Sequence, residues 1–155
     1  MTGYEPLIVE RDWNRATEDD WAKVLSEVSL FSDVGTRQRR KLARQAQFAE
    51  FAPRETVMVK GDDADAFYVI LSGTAEVRSG ATSRTLATGE YFGELALLDG
   101  QPRSATIVAT DDLHVMKLPR KAFMELVGEH PGIAHAMLME LGARFRRLER
   151  ERGAS

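Results

Sequence analysis

The stretch Gly89-Glu90-Tyr91-Phe92-Gly93-Glu94-Leu95-Ala96-Leu97-Leu98-Asp99-Gly100-Gln101-Pro102-Arg103-Ser104-Ala105-Thr106 decides the fold. Gly93 lets a backbone come close to a ligand. Glu94 to Leu98 is long enough for one short helical turn. The first amides of that turn, on Leu95 and Ala96, have no partner inside it. Such donors, with the helix dipole behind them, stabilise an anion. Pro102 ends the segment and is expected to lead into a strand. Arg103 then offers a planar fork matched to two phosphate oxygens. Glu94 is the odd member, because a carboxylate repels phosphate. It fits if it accepts a hydrogen bond from a ligand hydroxyl while Arg103 balances its charge. A sugar phosphate with a free 2′-OH supplies both partners.

Outward from this stretch, short β-branched and aromatic segments alternate with turn residues. Strands are expected near 48–52, 55–60, 66–71, 74–79, 82–88, 103–109 and 112–118. Pro53, Gly61-Asp62-Asp63, Ser72-Gly73, Ser79-Gly80, Gly89 and Asp99-Gly100 separate them. Strands this short and this evenly spaced predict an antiparallel barrel or jelly roll over 48–118.

Helical periods flank the roll. Thr17 with Asp20 resembles a capping box and opens a helix that carries Trp21, Val24, Leu25 and Val28 on one face. Thr36 is expected to cap a second helix running to about Gln47, with Leu42, Ala43 and Ala46 inward. After Pro119 a short helix over 120–127 is expected to stop at Gly128. Pro131 then starts a long one to about Glu151, with Ile133, Met137, Leu141, Phe145 and Leu148 as one apolar stripe. The fold class is α+β. A loose arm (1–16) precedes one domain (17–152) made of helices over 18–47, a roll over 48–118 and two helices over 120–151.

The stretch from Gly89 to Thr106 resembles the phosphate-binding cassette of cyclic-nucleotide-binding domains of the catabolite-activator and protein kinase A regulatory-subunit type. The pattern is Phe92-Gly93-Glu94, a small or apolar run, then Arg103-Ser104-Ala105. Gly61-Asp62, the Phe67-Tyr68-Val69-Ile70 strand and the Ser72-Gly73 turn fit it too, and so does the order helices, roll, helices. The likeness covers roughly residues 22–150, and the combined pattern is far more specific than one short motif.

The resemblance implies roles by position. Glu94 binds the ribose 2′-OH and Arg103 the cyclic phosphate. The Leu95 and Ala96 amides, with Ser104, complete the cradle beside Phe92, Gly93 and Ala105. Val77 and Leu86 line the roll next to sugar and base, and Leu148 falls near the point where a C-terminal lid helix meets the base. Leu148 is apolar where such a lid commonly carries a polar or aromatic group. Ser104, directly after the arginine, goes with cyclic AMP in the family. Its hydroxyl is also able to bond a guanine amino group, which keeps cyclic GMP open. The implied function is that of a sensor domain that moves its C-terminal helices on binding nucleotide and regulates a protein partner. A regulatory domain of an enzyme or transcription regulator whose output lies outside this sequence is the alternative.

Bulk properties narrow the classes further. The formal net charge is -3 and there is no cysteine. The acidic balance argues against a dedicated nucleic-acid binder. Without cysteine there are no disulfides, thiolate zinc sites or cysteine nucleophiles, which agrees with a cytoplasmic protein. The basic cluster Arg37, Arg39, Arg40, Lys41 and Arg44 reads better as a solvated helix face than as a nucleic-acid patch. The run Arg144, Arg146, Arg147 and Arg150, interleaved with Glu149 and Glu151, reads as an ion-paired exposed helix end. His114, His130 and His135 have no metal-ligand spacing. No nucleophile triad or carboxylate pair stands out, so no enzyme activity is expected. No secretory signal and no membrane-length apolar run is seen. Only Arg152-Gly153-Ala154-Ser155 follow the long helix, so direct DNA reading is not expected. The apolar stripe of that helix also offers a contact for a second copy.

Overall fold

A computed structural model describes residues 17–153; the arm expected over 1–16 lies outside the described residues. Helix α1 spans Glu18–Glu27. Its start is a true capping box: the Thr17 hydroxyl accepts from the Asp20 amide while the Asp20 carboxylate accepts from the Thr17 amide. Trp21, Val24 and Leu25 are buried. A 3-10 turn, Ser29–Phe31, follows and buries Leu30 and Phe31; the helical period is too short to announce it. Helix α2, Thr36–Gln45, is capped by Gly35 without a side-chain bond, so Thr36 is its first residue and not its cap. Gln47 already belongs to a strand.

The basic face of α2 packs against the acidic first turn of α1. Arg40 pairs with Asp19 at 3.2 Å and Arg44 with Glu18 at 3.0 Å. Arg39 bonds to the Val34 carbonyl and to the Thr36 hydroxyl. Arg40 and Arg44 thus link α2 to α1, while Arg39 braces the start of its own helix.

Eight strands follow: β1 Gln47–Phe51, β2 Thr56–Met58, β3 Ala66–Ser72, β4 Ala75–Ser79, β5 Thr82–Leu86, β6 Tyr91–Phe92, β7 Thr106–Ala109 and β8 Leu113–Pro119. They form two four-stranded antiparallel sheets, β1-β8-β3-β6 and β2-β7-β4-β5. This is the expected jelly roll, closed over two apolar clusters. One lies between the sheets around Ile70, Leu86, Phe92 and Val115. The other lies between sheet and helices around Phe31, Phe67, Met116 and Phe123. Strand β3 serves both. Its residues alternate between the two faces and all but the last are buried, as a strand covered on both sides requires.

Between β6 and β7 sits helix α3, Glu94–Asp99. Strand β6 is only two residues long and was not distinguishable from the loop by period. Helix α4, Arg120–Glu129, runs through Gly128 and ends at His130, one residue before Pro131. The proline ring forbids the helical conformation just before it, whereas an interior glycine costs only about 1 kcal/mol. Helix α5, Pro131–Gly153, buries Ile133 and Met137 only. The expected stripe therefore divides: Phe145 is 63% exposed and Leu148 47%.

Candidate functional site

The cassette is built by two left-handed glycines around one turn of helix. Gly93, with φ +88°, reverses the chain from β6 into α3, and Gly100, with φ +70°, closes α3. A side chain at Gly93 is excluded on two counts. The conformation disfavours it, and a Cβ there would stand 2.9 Å from Nη1 of Arg103 and 3.2 Å from the Ala66 carbonyl oxygen.

Arg103 was expected to open a strand, but β7 begins only at Thr106. The Arg103 backbone is held instead by the turn at Gly61-Asp62. Its N–H donates to the Asp62 carbonyl at 2.8 Å, and its carbonyl accepts from the Gly61 amide at 2.9 Å. Its side chain is 4% exposed. Nη1 donates to the Gly93 carbonyl at 2.8 Å, and Nη2 to the Ala66 carbonyl at 2.9 Å and to Asp65 at 3.4 Å. The guanidinium also lies over the Tyr68 ring, 5.8 Å from its centre. Five N–H groups are available on an arginine, and these contacts use at most three. The fork is fixed in place with donors to spare.

Glu94 is 7% exposed on the first turn of α3. Burial pushes its carboxyl above the ordinary carboxylate range. Its own backbone amide, Arg144 and Arg84 pull the other way, and Glu140 adds to the rise. The sequence reading had Arg103 balancing this carboxylate. That is corrected here: the carboxylate partner of Arg103 is Asp65, and the cations near Glu94 are Arg84 on β5 and Arg144 on α5.

Both residues were missed, and both had a signal. On β5, Arg84 lies two residues from buried Leu86, so a period of two puts them on one face; Arg84 pairs with Val77 across β4. On α5, Arg144 is seven residues past buried Met137, on the same helix face. Arg144 bonds to Glu140 at 3.4 Å, and Glu140 accepts from the Tyr91 hydroxyl. The run at the end of α5 is thus not all exposed charge. Burial, with Glu140 beside it, raises the Tyr91 hydroxyl far above its ordinary value.

One cleft collects most of the expected residues. Phe92, Gly93, Glu94, Leu95 and Ala96 line it, together with Arg103, Ser104 and Ala105. Val77 and Arg84 close the roll side, and Arg144 the helix side. An outer chamber continues from it between Val77, Ser83, Arg84 and Ser104 on the roll and Arg144, Arg147 and Leu148 on α5. The inner part measures about 80 Å³ and the outer about 500 Å³. Small-molecule sites usually measure about 300–1,000 Å³, so a ligand seated in the inner part reaches into the outer one. Leu86 is the exception. It is 1% exposed in the core of the roll and lines neither part. Deeper on the same face than Arg84, it supports the wall without forming it.

Among the described residues no group of three or more His, Asp or Glu is arranged to hold a metal ion. His114 stacks on Phe48 and lies 3.5 Å from Glu50. No described helix is long and apolar enough to cross a membrane.

The cleft can be set beside known proteins. A model of the cyclic nucleotide-binding domain matches residues 48–130. The cAMP-dependent protein kinase regulatory subunit of Yarrowia lipolytica is 41% identical over 107 residues, which is 67% of this chain and 28% of that protein. The chain thus spans only about a quarter of the length of the curated relatives it matches. A solved protein kinase A regulatory-subunit domain with Sp-2Cl-cAMPS bound superposes with a TM-score of 0.75 at 29% identity, covering 85% of this chain and 91% of that one. The catabolite activator protein of Thermus thermophilus gives a TM-score of 0.65 at 30% identity, over 79% of this chain and 60% of that one. The roll, the glycine-bounded cassette and the buried Glu94 and Arg103 occur in a chain that belongs to the cyclic nucleotide-binding domain family.

Proposed function

We propose that this domain binds a 3′,5′-cyclic nucleotide, with cyclic AMP as its first ligand, and passes the binding on to a protein partner through α5. One observation carries the reading. A buried carboxylate and a buried guanidinium, Glu94 and Arg103, line the same narrow cleft. In this reading Arg103 pairs with the cyclic phosphate, aided by the amides of Leu95 and Ala96 and by Ser104. Glu94 accepts from the ribose 2′-OH. Phe92, Gly93 and Ala105 shape the phosphate end, and Val77 lies against the base. The relatives named as cAMP-dependent regulatory subunits, and the structure with a cyclic AMP analogue bound, support cyclic AMP. They also support a regulatory and non-catalytic role.

Helix α5 is the output element in this reading. It touches the roll through Tyr91–Glu140 and carries Arg144 into the cleft. A ligand shifts such a helix only if it makes better contacts with one arrangement than with the other. Leu148, on the wall of the outer chamber, acts as a lid over the base. A second reading of the same helix rests on the exposed Leu138, Phe145 and Leu148. Together with Leu141 they follow a three-four spacing, the seam of a two-stranded coiled coil, so a second copy is an alternative occupant. The regulated partner is a kinase-like or other effector, or an output domain on a longer chain.

Titration calorimetry on protein stripped of ligand tests the core of the proposal. Heat with cyclic AMP is expected, and no heat with either cyclic AMP or cyclic GMP overturns it. Capture of partners with and without nucleotide then separates a regulatory subunit from a passive binder. Sedimentation of Phe145→Glu against the parent protein separates the second copy from the lid.

A further inference from the structure

The fork of Arg103 is buried, yet the acid beside it does little to neutralise it. The Asp65 side chain is 73% exposed and lies 3.4 Å away, and an ion pair open to water contributes little. The other contacts that hold the guanidinium are neutral. Two are the carbonyls of Gly93 and Ala66. The third is the face of Tyr68, whose ring centre lies 5.8 Å from the guanidinium carbon. A ring face attracts a cation within about 6 Å, and more strongly where water is excluded. A cation held by carbonyls and a ring keeps its charge for a ligand. One held by a buried carboxylate would already have spent that charge.

Tyr68 is set in this place by its strand. On β3 it stands opposite Phe92 of β6, and the two rings stack with centres 4.8 Å apart and planes 5° from parallel. A Cβ on Gly93 would stand 3.3 Å from Cδ1 of Tyr68. The buried ring therefore lies against both ends of the cassette, Phe92-Gly93 and Arg103, which the chain separates by ten residues. The Tyr68 hydroxyl makes no hydrogen bond among the described residues. Burial, with Asp65 beside it, raises that hydroxyl above its ordinary value, while Arg103 pulls the other way. The contacts made at this position are thus those of a neutral ring. Lys117, opposite Tyr68 on β8, brings a second cation to it, with Nζ 5.5 Å from the ring centre.

We propose that Tyr68 is a positioning residue for phosphate recognition: its ring fixes the plane of the Arg103 guanidinium without neutralising it, so that the fork meets the ligand already oriented and fully charged. The inference rests on the cyclic-nucleotide reading of the cleft and adds to it the group that prepares its phosphate end.

The experiment is calorimetric titration with cyclic AMP of the parent protein, Tyr68→Phe, Tyr68→Leu, Lys117→Met, Arg103→Lys and the double variant Tyr68→Leu with Arg103→Lys. Thermal melts show which variants are folded. Tyr68→Phe keeps the ring, so its affinity is expected to stay within about twofold of the parent. Tyr68→Leu removes the π face and should lose about fivefold or more. In the Arg103→Lys background the same change should cost less than about twofold, because the planar fork is gone. An equal loss in both backgrounds overturns the proposal, since Tyr68 would then act through the packing of the roll. Unchanged affinity in folded Tyr68→Leu overturns it too. So does a loss in Lys117→Met as large as that in Tyr68→Leu, because the ring would then serve Lys117. If Tyr68→Leu does not fold, Tyr68→Phe with fluorine added stepwise to its ring decides. Fluorine draws charge from the ring face and nearly keeps its shape, so affinity should fall with each fluorine, and a flat series overturns the proposal. If the parent protein binds neither cyclic AMP nor cyclic GMP, the cyclic-nucleotide reading fails and takes this inference with it. If it binds and changes at Tyr68 leave the affinity unmoved, only the role of Tyr68 fails.

Discussion

Nη1 of Arg103 donates to the carbonyl of Gly93 at 2.8 Å, and a Cβ on Gly93 would stand 2.9 Å from that same nitrogen. The cassette's turn and its cation are therefore one unit: the turn fixes the fork, and the fork leaves no room for a side chain on the turn. Gly93→Ala tests this. The left-handed conformation costs an L-residue about 1–2 kcal/mol, and the added methyl pushes Arg103 off its seat. The expected result is a thermal midpoint lower by several degrees and nucleotide affinity lower by about tenfold or more. Gly100→Ala has a similar φ but nothing within 4 Å of its Cβ. It should lose stability with little change in affinity. Equal affinity losses in the two variants would separate Gly93 from Arg103.

Arg103 itself is expected to divide between stability and binding. Arg103→Ala leaves the Gly93 and Ala66 carbonyls without their donor, at about 1–3 kcal/mol of unfolding free energy. It should also weaken nucleotide binding by at least about 2 kcal/mol, the scale of a charge-assisted contact. Arg103→Lys retains a charge but has no fork to bridge Gly93, Ala66 and a phosphate. Its affinity should lie between the two. Denaturant unfolding and calorimetry on the same samples read both quantities, and unchanged affinity in Arg103→Ala would remove the residue from the site.

The roll, its turns and the cassette were legible in the sequence because each has a local cause. Thr17–Asp20 caps a helix by itself, and Gly93 is needed by the turn it makes. The errors come where a distant contact overrides a local signal. Arg103 sits before a strand-like run, yet its backbone bonds go to Gly61 and Asp62, some forty residues earlier. Glu94 was paired with the wrong cation because the charges beside it come from β5 and α5, which no spacing within the cassette announces. Leu148 and Phe145 continue an apolar period, but the buried part of α5 ends at Met137. The alternation that buries Leu86 also turns Arg84 inward. That signal was present and went unused, because an arginine on a strand is ordinarily read as an outward residue.

Glu94 predicts a conflict between stability and function. Burial holds its folded-state value above the ordinary 4.5, so the folded protein binds this proton more tightly than the unfolded chain does. The favourable contribution is complete below the unfolded value and is lost as pH rises through the raised folded value. At neutral pH the ionised carboxylate is thus a cost to the unliganded fold. Glu94→Gln removes that cost. It should unfold at a higher temperature than the parent at pH 7, and the gap should close as pH falls toward 4.5. The same variant should bind nucleotide more weakly, since a neutral acceptor replaces a charged one at the ribose hydroxyl. Thermal melts across this pH range with paired titrations check both. A variant that loses stability at pH 7 would show that the carboxylate is satisfied by contacts outweighing its burial.

Tyr91 and Glu140 make a direct polar contact between the roll and α5, one residue before Phe92 on one side and one turn before Arg144 on the other. Tyr91→Phe keeps the ring packed on Phe67, 5.5 Å between centres, and deletes only the hydroxyl. About 0.5–1.5 kcal/mol of stability should be lost, the scale of one hydrogen bond. The more telling change is local. With Glu140 released, Arg144 loses the orientation that brings it to the cleft, and α5 loses a tether to the roll. Backbone amides of α5 beyond Glu140 should exchange faster with solvent, while those of β3 and β8 stay protected as before. Ligand should restore part of the protection, because Arg144 lines the cleft and so couples the helix to whatever occupies it. Identical exchange in variant and parent would mean that α5 is held by Ile133 and Met137 alone, and that the Tyr91 hydroxyl carries no signal from the cassette to the helix.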